Sequence, residues 1–141
     1  MHSKNRKTQK IGQHSIVTST KFPFIANEFI GKRALVTGGT AGMGKAITSR
    51  LLDGGAKVIT TARSLTSDDE HRQHVFVQAD VSTSEGCTKI INEVISHFGG
   101  VDILVNVVGG SSAPSGGFSV LSDEEWQKEL NLNLMPAVRL D

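Results

Sequence analysis

The sequence predicts an α/β fold in which helices cover both faces of a parallel β-sheet. Three observations support this prediction. Short apolar or β-branched runs alternate with segments whose apolar residues recur at helical spacing. A glycine cluster directly follows the first run, and 38% hydrophobic residues in a chain of 141 are enough to fill one core. Alternating strands and helices are typical of a doubly wound parallel sheet.

The first half of the pattern contains two strands with a helix between them. Residues 34–36 form a short buried run, and residues 57–62 are β-branched and strand-like. Gly54 and Gly55 end the helix that precedes the second strand. Its predicted buried stripe consists of Met43, Ala46, Ile47, Leu51 and Leu52.

The pattern then repeats with two more strands. We predict strands over 74–79 and 103–108, the latter apolar enough to be covered on both faces. Between them, Ser82 and Glu85 stand in the register of a capping box that opens a helix. Its predicted apolar stripe consists of Cys87, Ile90, Ile91, Val94, Ile95 and Phe98.

A last helix is predicted to open at a second capping box, Ser122 with Glu125, and to continue to the end of the sequence. Four strands and about three helices make only part of a doubly wound sheet, so we expect an incomplete one. The strand over 103–108 would then form a hydrophobic edge that lowers solubility. The predicted buried stripe of the last helix consists of Trp126, Leu130, Leu134, Ala137 and Val138.

The charge is balanced overall but is concentrated at the start of the chain. Fifteen basic and fourteen acidic residues leave a formal charge of +1, which argues against nucleic-acid or membrane binding. Residues 1–27 hold five basic residues and no acidic one, so we expect a solvated tail before a domain over 28–141, with a transit peptide as the alternative. The one cysteine, Cys87, is interpreted as a packing thiol and fits a cytoplasmic protein.

The glycine cluster TGGTAGMG over 37–44 carries the strongest functional signal. A helix N-terminus presents unpaired amides and a positive dipole end, which together bind phosphate. Gly38 would allow a tight turn, Gly42 would let a pyrophosphate approach the backbone, and Gly44 would let the helix pack closely. Because a strand precedes the cluster and a helix and strand follow it, we predict dinucleotide binding, with a tight turn without ligand as the alternative.

The same cluster also fits a different phosphate loop. Residues 39–45 match G-x-x-x-x-G-K, the loop that binds nucleoside triphosphates. That loop requires a serine or threonine next, whose hydroxyl holds Mg²⁺, and this chain has Ala46. Asp80, at the end of the third strand, is weak support without that hydroxyl, so triphosphate binding stays a minor alternative.

The spacing T-G-x-x-x-G-x-G resembles the short-chain dehydrogenase/reductase family, and the resemblance covers roughly 30–141. Asp80-Val81 resembles the pair that meets adenine in that family. Asn106, implied to brace the central strands, and Gly109 match the ends of its Asn-Asn-Ala-Gly motif, whose middle positions are valines here. The resemblance implies a Rossmann-type fold with these coenzyme-binding residues: Thr37, Gly38, Thr40, Gly42, Met43, Gly44, Arg63, Ser64, Asp80, Val81, Asn106 and Gly109.

The end of the second strand discriminates between the two nicotinamide coenzymes. An acidic residue there would hold the ribose hydroxyls and repel a 2′-phosphate. The chain has no acidic residue between Gly54 and Ser67, and Arg63 offers a planar fork of donors to a phosphate. Many NADP-preferring members of the family also have a basic residue just before the middle glycine of the cluster. This chain has Ala41 at that position. We predict NADP(H) over NAD(H).

The last helix holds a candidate catalytic residue. Asn133 lies seven residues after Trp126 on the predicted apolar stripe, where an amide needs hydrogen-bond partners. The resemblance implies that Asn133 holds a water that relays protons to an active-site lysine. A core asparagine with satisfied hydrogen bonds is the alternative, and neighbouring Asn131 lies off that face.

The resemblance also implies the reaction, hydride transfer between NADP(H) and a carbonyl or alcohol. The family's Ser and Tyr-x-x-x-Lys would lie beyond Asp141, and the sequence contains no tyrosine. We therefore expect the N-terminal, coenzyme-binding part of such an oxidoreductase, inactive alone and lacking the helices of the family's usual homo-oligomer interface. A non-catalytic nucleotide-binding remnant or truncated gene product is the alternative. No metal site is predicted, because His71 and His74 lack further ligands at suitable spacing.

Overall fold

The computed structural model describes residue 25 and residues 27–65 and 73–141. The predicted basic tail lies outside the described residues except at positions 25 and 27. His71 and the acidic residues at 68–70 also lie outside them, so the proposed domain boundary and the loop after the second strand remain predictions.

Four parallel strands form one sheet: β1 (Arg33–Thr37), β2 (Lys57–Ala62), β3 (Val75–Gln78) and β4 (Ile103–Val105). Their order is β3-β2-β1-β4, which confirms the predicted doubly wound α/β class. Chain order reverses between β1 and β4. In open α/β sheets, ligands bind at the carboxyl ends of the strands on either side of such a reversal.

The two faces of the sheet bury separate cores. Ala34 and Val36 of β1 pack on the side of α1 (Gly42–Asp53), and Leu35 packs on the side of α2 (Ser84–Phe98), because successive strand residues point to opposite faces. On α2, Cys87 is buried and its Sγ donates to the Val81 carbonyl at 3.2 Å. Burial raises the pKa of this thiol, consistent with the predicted packing role.

The predicted last helix is two helices, α3 (Asp123–Asn133) and α4 (Met135–Leu140), preceded by a 3₁₀ turn over Phe118–Val120. The break falls at Leu134 because Pro136 has no N–H to donate to the carbonyl four residues earlier. The single-helix prediction was wrong at this point.

The predicted buried stripe of this region was also wrong. Trp126, Leu130, Leu134 and Val138 are between 38% and 60% exposed. Instead, α4 buries Pro136 and packs Leu140 against the core beside α2. The apolar spacing is real, but within the described chain this face of α3 and α4 is left largely uncovered, apart from an edge-to-face contact between the rings of Phe118 and Trp126.

The stripe of α1 is displaced from its prediction as well. Met43 is 69% exposed, whereas Gly44, Thr48 and Leu51 are buried. The small residue at position 44 brings the helix close to the turn after β1, so the helix meets the sheet through that side. On α2, Ile91 and Ile95 are likewise exposed, and the remaining predicted residues pack inward.

Helix capping agrees with the prediction for α3 and not for α2. Ser122 and Glu125 form the reciprocal capping box. On α2 the cap is Thr83, whose side chain accepts from the Gly86 amide at 3.0 Å. Ser82 does not cap the helix because its hydroxyl donates to the Asp80 carboxylate, as described below.

β4 ends earlier than the predicted strand over 103–108. Thr37, fully buried at the end of β1, accepts a hydrogen bond from the Val107 amide at 3.0 Å and donates to the Val105 carbonyl at 3.3 Å. A side chain therefore replaces the backbone ladder beyond Val105. β4 forms an edge of the described sheet, as the sequence predicts.

At the opposite end of the sheet, an ion pair joins β1 to β4. Asp102 accepts from Arg33 Nη2 at 2.8 Å and from Nε at 2.9 Å. The Arg33 guanidinium beside Asp102 holds the pKa of that carboxyl well below its usual range.

No helix within the described residues is long and apolar enough to span a membrane, and no metal-binding cluster of His, Cys, Asp or Glu occurs among them.

Candidate functional site

The turn from β1 into α1 depends on glycine at two positions. Gly38 has a φ of 65°, in the left-handed region, and its amide donates to the Thr61 carbonyl at 2.8 Å. Gly44 lies directly against this turn, because a Cβ built on Gly44 would stand 2.1 Å from the Gly38 carbonyl oxygen. The turn and the close packing have the geometry that the sequence interpretation required.

The N-terminus of α1 is not capped by a side chain. Its N-cap residue is Ala41, whereas Thr83 and Ser122 cap α2 and α3. A Cβ built on Gly42 would meet no atom within 4 Å, so the space beside the first turn is open. The amides of this turn are oriented to bind an external acceptor such as phosphate, next to the exposed side chain of Met43.

A pocket of about 370 Å³ adjoins this turn at the carboxyl ends of the strands. Segments that follow all four strands line it, together with Leu132 of α3. A second pocket of about 820 Å³ shares Arg63, Ser82, Gly109 and Leu132 with the first and extends along α3. The structure brings these predicted residues together in the first pocket: Gly38, Thr40, Arg63, Asp80, Val81 and Gly109.

Arg63 lines both pockets just beyond β2. Its side chain is exposed, and its carbonyl accepts a hydrogen bond from Gln78 Nε2 at 2.9 Å. The Gln78 carbonyl accepts in turn from Lys89 Nζ at 2.9 Å. Gln78 thus holds the end of β2 from the neighbouring strand, while Ser64 is exposed and does not line either pocket.

Asp80 begins the turn between β3 and α2. Its Oδ1 accepts from the Ser82 amide at 2.9 Å and from the Ser82 hydroxyl at 2.7 Å. These hydrogen bonds are the main reason that the pKa of Asp80 lies below its ordinary value, and the nearby charge of Arg63 adds to the effect. The carboxylate is therefore ionised near neutral pH and acts only as an acceptor. Val81, next to it, is buried.

Asn133, at the end of α3, holds the loop that follows β4. Its Oδ1 accepts from the Gly110 amide at 3.0 Å, and its Nδ2 donates to the carbonyls of Gly110 and Glu129 at 2.9 Å. Asn133 is exposed rather than buried on an apolar stripe, so the expected burial was wrong, although its amide is satisfied. Asn106 is exposed where the ladder of β4 has ended.

Three residues in or beside the pockets were missed in the sequence. Leu132 was passed over because the apolar stripe was counted from Trp126. Ser82 was assigned to a helix cap, although a serine two residues after an aspartate also predicts the observed turn. Gln78 carried no signal, because its contact depends on the register between β2 and β3.

The parallel sheet, the uncapped helix after a glycine turn and a pocket at the strand reversal define an α/β protein of the dinucleotide-binding class. Residues 32–140 match the short chain dehydrogenase family. The chain belongs to that family.

Among curated relatives, the chain is 41% identical over 120 residues to the uncharacterized oxidoreductase YvaG of Bacillus subtilis (strain 168), covering 78% of this chain and 43% of that protein. It is 37% identical to the NADP-dependent (R)-specific alcohol dehydrogenase of Lentilactobacillus kefiri, covering 74% and 43%. It is 33% identical to the 15-hydroxyprostaglandin dehydrogenase [NAD(+)] of Rattus norvegicus, covering 77% and 41%.

Among solved structures, L-sorbose reductase from Gluconobacter frateurii, complexed with NADPH and L-sorbose, superposes with a TM-score of 0.70 at 34% identity. The match covers 82% of this chain and 47% of that one. The chain thus spans less than half the length of these relatives.

Proposed function

We propose that this chain is the coenzyme-binding part of an oxidoreductase that transfers hydride between NADP(H) and a carbonyl or alcohol substrate. The observation that carries the proposal is the uncapped N-terminus of α1, which opens beside a pocket built from the ends of all four strands. A nicotinamide coenzyme would supply the hydride chemistry. Relatives of both coenzyme types, NADP-dependent and NAD⁺-dependent, support a nicotinamide dinucleotide.

The residues present fit such a coenzyme. The pyrophosphate would be held by the amides of the first turn of α1, where the backbone near Gly42 faces open space. The ribose end would lie by Arg63 and the adenine by Asp80 and Val81, all of which line the pocket. A triphosphate site fits less well, because Ala46 provides no hydroxyl for Mg²⁺.

The preference for NADP(H) rests on Arg63. This residue stands at the end of β2 with an exposed guanidinium, and no acidic residue precedes it on the strand. A guanidinium can donate two parallel hydrogen bonds to a 2′-phosphate, whereas a ribose hydroxyl uses fewer of its donors.

In this proposal Asn133 contributes to the catalytic site once the rest of such an enzyme is in place. Its hydrogen bonds to Gly110 support a role beside the substrate end of the pocket. The 141 residues contain no tyrosine, so the proton donor of the family would come from elsewhere. We accordingly expect coenzyme binding without turnover from this chain alone.

Calorimetry tests the choice of ligand. Folded protein is titrated separately with NADPH, NADH and ATP with Mg²⁺. Binding of NADPH, and weaker or no binding of ATP, is expected. Heat from ATP with Mg²⁺ and none from either coenzyme would show that the site belongs to another nucleotide.

Arg63→Ala tests the coenzyme preference. Loss of a charge-assisted pair should raise the Kd for NADPH about tenfold or more, and should change the Kd for NADH less than about threefold. Lys57→Ala is the matched control, because it removes an exposed cation from the opposite end of the same strand. Wild-type protein that binds NADH as tightly as NADPH, with no effect of Arg63→Ala, would contradict the preference.

A further inference from the structure

α4 reaches back to the turn between β3 and α2. Arg139 Nη1 donates to the Ser82 carbonyl at 3.0 Å, a partly buried contact between residues 57 positions apart. We propose that Arg139 is a positioning residue for the adenine end of the coenzyme: it fixes Ser82, and Ser82 fixes the Asp80 carboxylate. This inference rests on the proposed function and extends it to a residue outside the glycine turn and the strand ends.

Ser82 connects Arg139 to the carboxylate. Its amide and its hydroxyl both donate to Oδ1 of Asp80, while its carbonyl accepts from Arg139. Ser82 therefore contacts both Arg139 and Asp80, so a shift of the Ser82 backbone moves the Asp80 carboxylate. Asp80 and Ser82 both line the pocket, so such a shift changes the surface that a base would meet.

The other side-chain hydrogen bonds within the turn come from its own neighbours. Thr83 donates its hydroxyl to the Asp80 carbonyl at 2.9 Å and accepts from the Gly86 amide. These bonds shape the turn but all lie within seven residues of sequence. Val81 packs its side chain into the core, and Arg139, from a different helix, adds a hydrogen bond from the body of the domain to the backbone next to it.

The chemistry of the carboxylate predicts what this anchor controls. With Oδ1 occupied by Ser82, the ionised Asp80 can offer Oδ2 to a donor. The 6-amino group of adenine is such a donor, whereas hypoxanthine carries an oxygen at that position. A correctly placed Asp80 should therefore favour the adenine coenzyme over its hypoxanthine analogue.

The experiment compares the Kd of NADPH with that of the reduced hypoxanthine analogue of NADP, by calorimetry. The wild type is expected to favour adenine, and Arg139→Met is expected to reduce this preference about fivefold, as loss of one hydrogen bond in the relay would. Arg139→Lys, which retains a charged donor, should recover part of the preference. Binding of nicotinamide mononucleotide should stay within about twofold in both variants.

Arg50→Met is the matched control. It removes a guanidinium that pairs with Glu28 and lies over the Phe29 ring, so it perturbs packing away from the turn. It should leave the base preference unchanged even where it lowers stability. If Arg139→Met does not fold, Arg139→Gln, which keeps a polar side chain but loses the guanidinium, takes its place and should reduce the preference likewise.

The outcomes separate the two proposals. Wild-type protein that binds neither dinucleotide refutes the proposed function. Wild-type protein that binds NADPH without favouring adenine, or an Arg139→Met or Arg139→Gln variant that retains the full preference, refutes the positioning role of Arg139 and leaves the proposed function standing.

Discussion

The βαβ unit of β1, α1 and β2 and the segment over 106–141 both carry apolar residues at regular spacing, yet they bury them very differently. In the first, β1 and β2 are almost entirely buried and Leu51 of α1 is 6% exposed. In the second, all of which the structure describes, Pro136 is the one buried residue. Apolar spacing shows which face of a helix could be buried, and a neighbouring surface is needed to bury it.

The residues proposed to have functional roles follow the same division. The glycine turn belongs to the well-packed unit, where backbone contacts leave little freedom. Asn133 and Arg139 belong to the exposed segment, and each reaches the site through hydrogen bonds to backbone atoms of distant residues. The first region therefore shapes the proposed phosphate site through its fold, and the second contributes through individual side-chain contacts.

The largest expected difference in the free energy of unfolding comes from shortening one apolar side chain in each region. Ile90→Ala removes a fully buried side chain of the α2 core and should lower the free energy of unfolding by about 4 kcal/mol. Leu134→Ala, at a residue 51% exposed, should cost about 0.5 kcal/mol or less. Urea denaturation followed by circular dichroism measures both. Equal losses would mean that the face of α3 and α4 is covered in solution.

A smaller contrast compares two glycines of the same turn. Gly44→Ala places a methyl group against the Gly38 carbonyl and should cost about 3 kcal/mol, because backbone must move. Gly42→Ala meets open space and should cost about 1 kcal/mol, from its positive φ alone. The same denaturation assay measures both. A smaller loss for Gly44→Ala than for Gly42→Ala would contradict the close packing of α1.

The smallest expected effect concerns the pair between Arg33 and Asp102. Because the pKa of Asp102 is lowered in the folded state, the pair stabilises fully above the unfolded carboxyl value of about 3.9, and this contribution is lost as pH falls through the lower folded pKa. Asp102→Asn should therefore lower the urea midpoint at pH 7, and the difference from wild type should shrink in acid. Unfolding curves at pH 7, 4 and 3 measure this.

A double-mutant cycle provides the control for this ion pair. Arg33→Met should have less effect in the Asp102→Asn background than in the wild type, because its partner is already neutral. Additive effects, or a difference from wild type that stays constant from pH 7 to pH 3, would show that the ion pair does not stabilise the fold.

Much of the architecture could be predicted from the residues alone. The alternation of strands and helices identified the class, and the glycine cluster identified the turn that precedes α1. The predictions failed where two local signals competed, as at Ser82, which was expected to cap α2 and instead bonds to Asp80. They also failed where one residue changed the geometry, as at Pro136, which divides the last helix.

Local sequence was enough to predict three features: the glycine turn, the strand order of a βαβ unit and the basic residue after β2. Each of them depends on residues close together in the chain. The contacts of Gln78 with Arg63, Arg139 with Ser82 and Asn133 with Gly110 join segments 15 to 57 positions apart. Such contacts depend on strand register and on how helices pack, and local periodicity contains neither. That is why the glycine turn could be predicted from the sequence, while these long-range contacts were visible only in the tertiary structure.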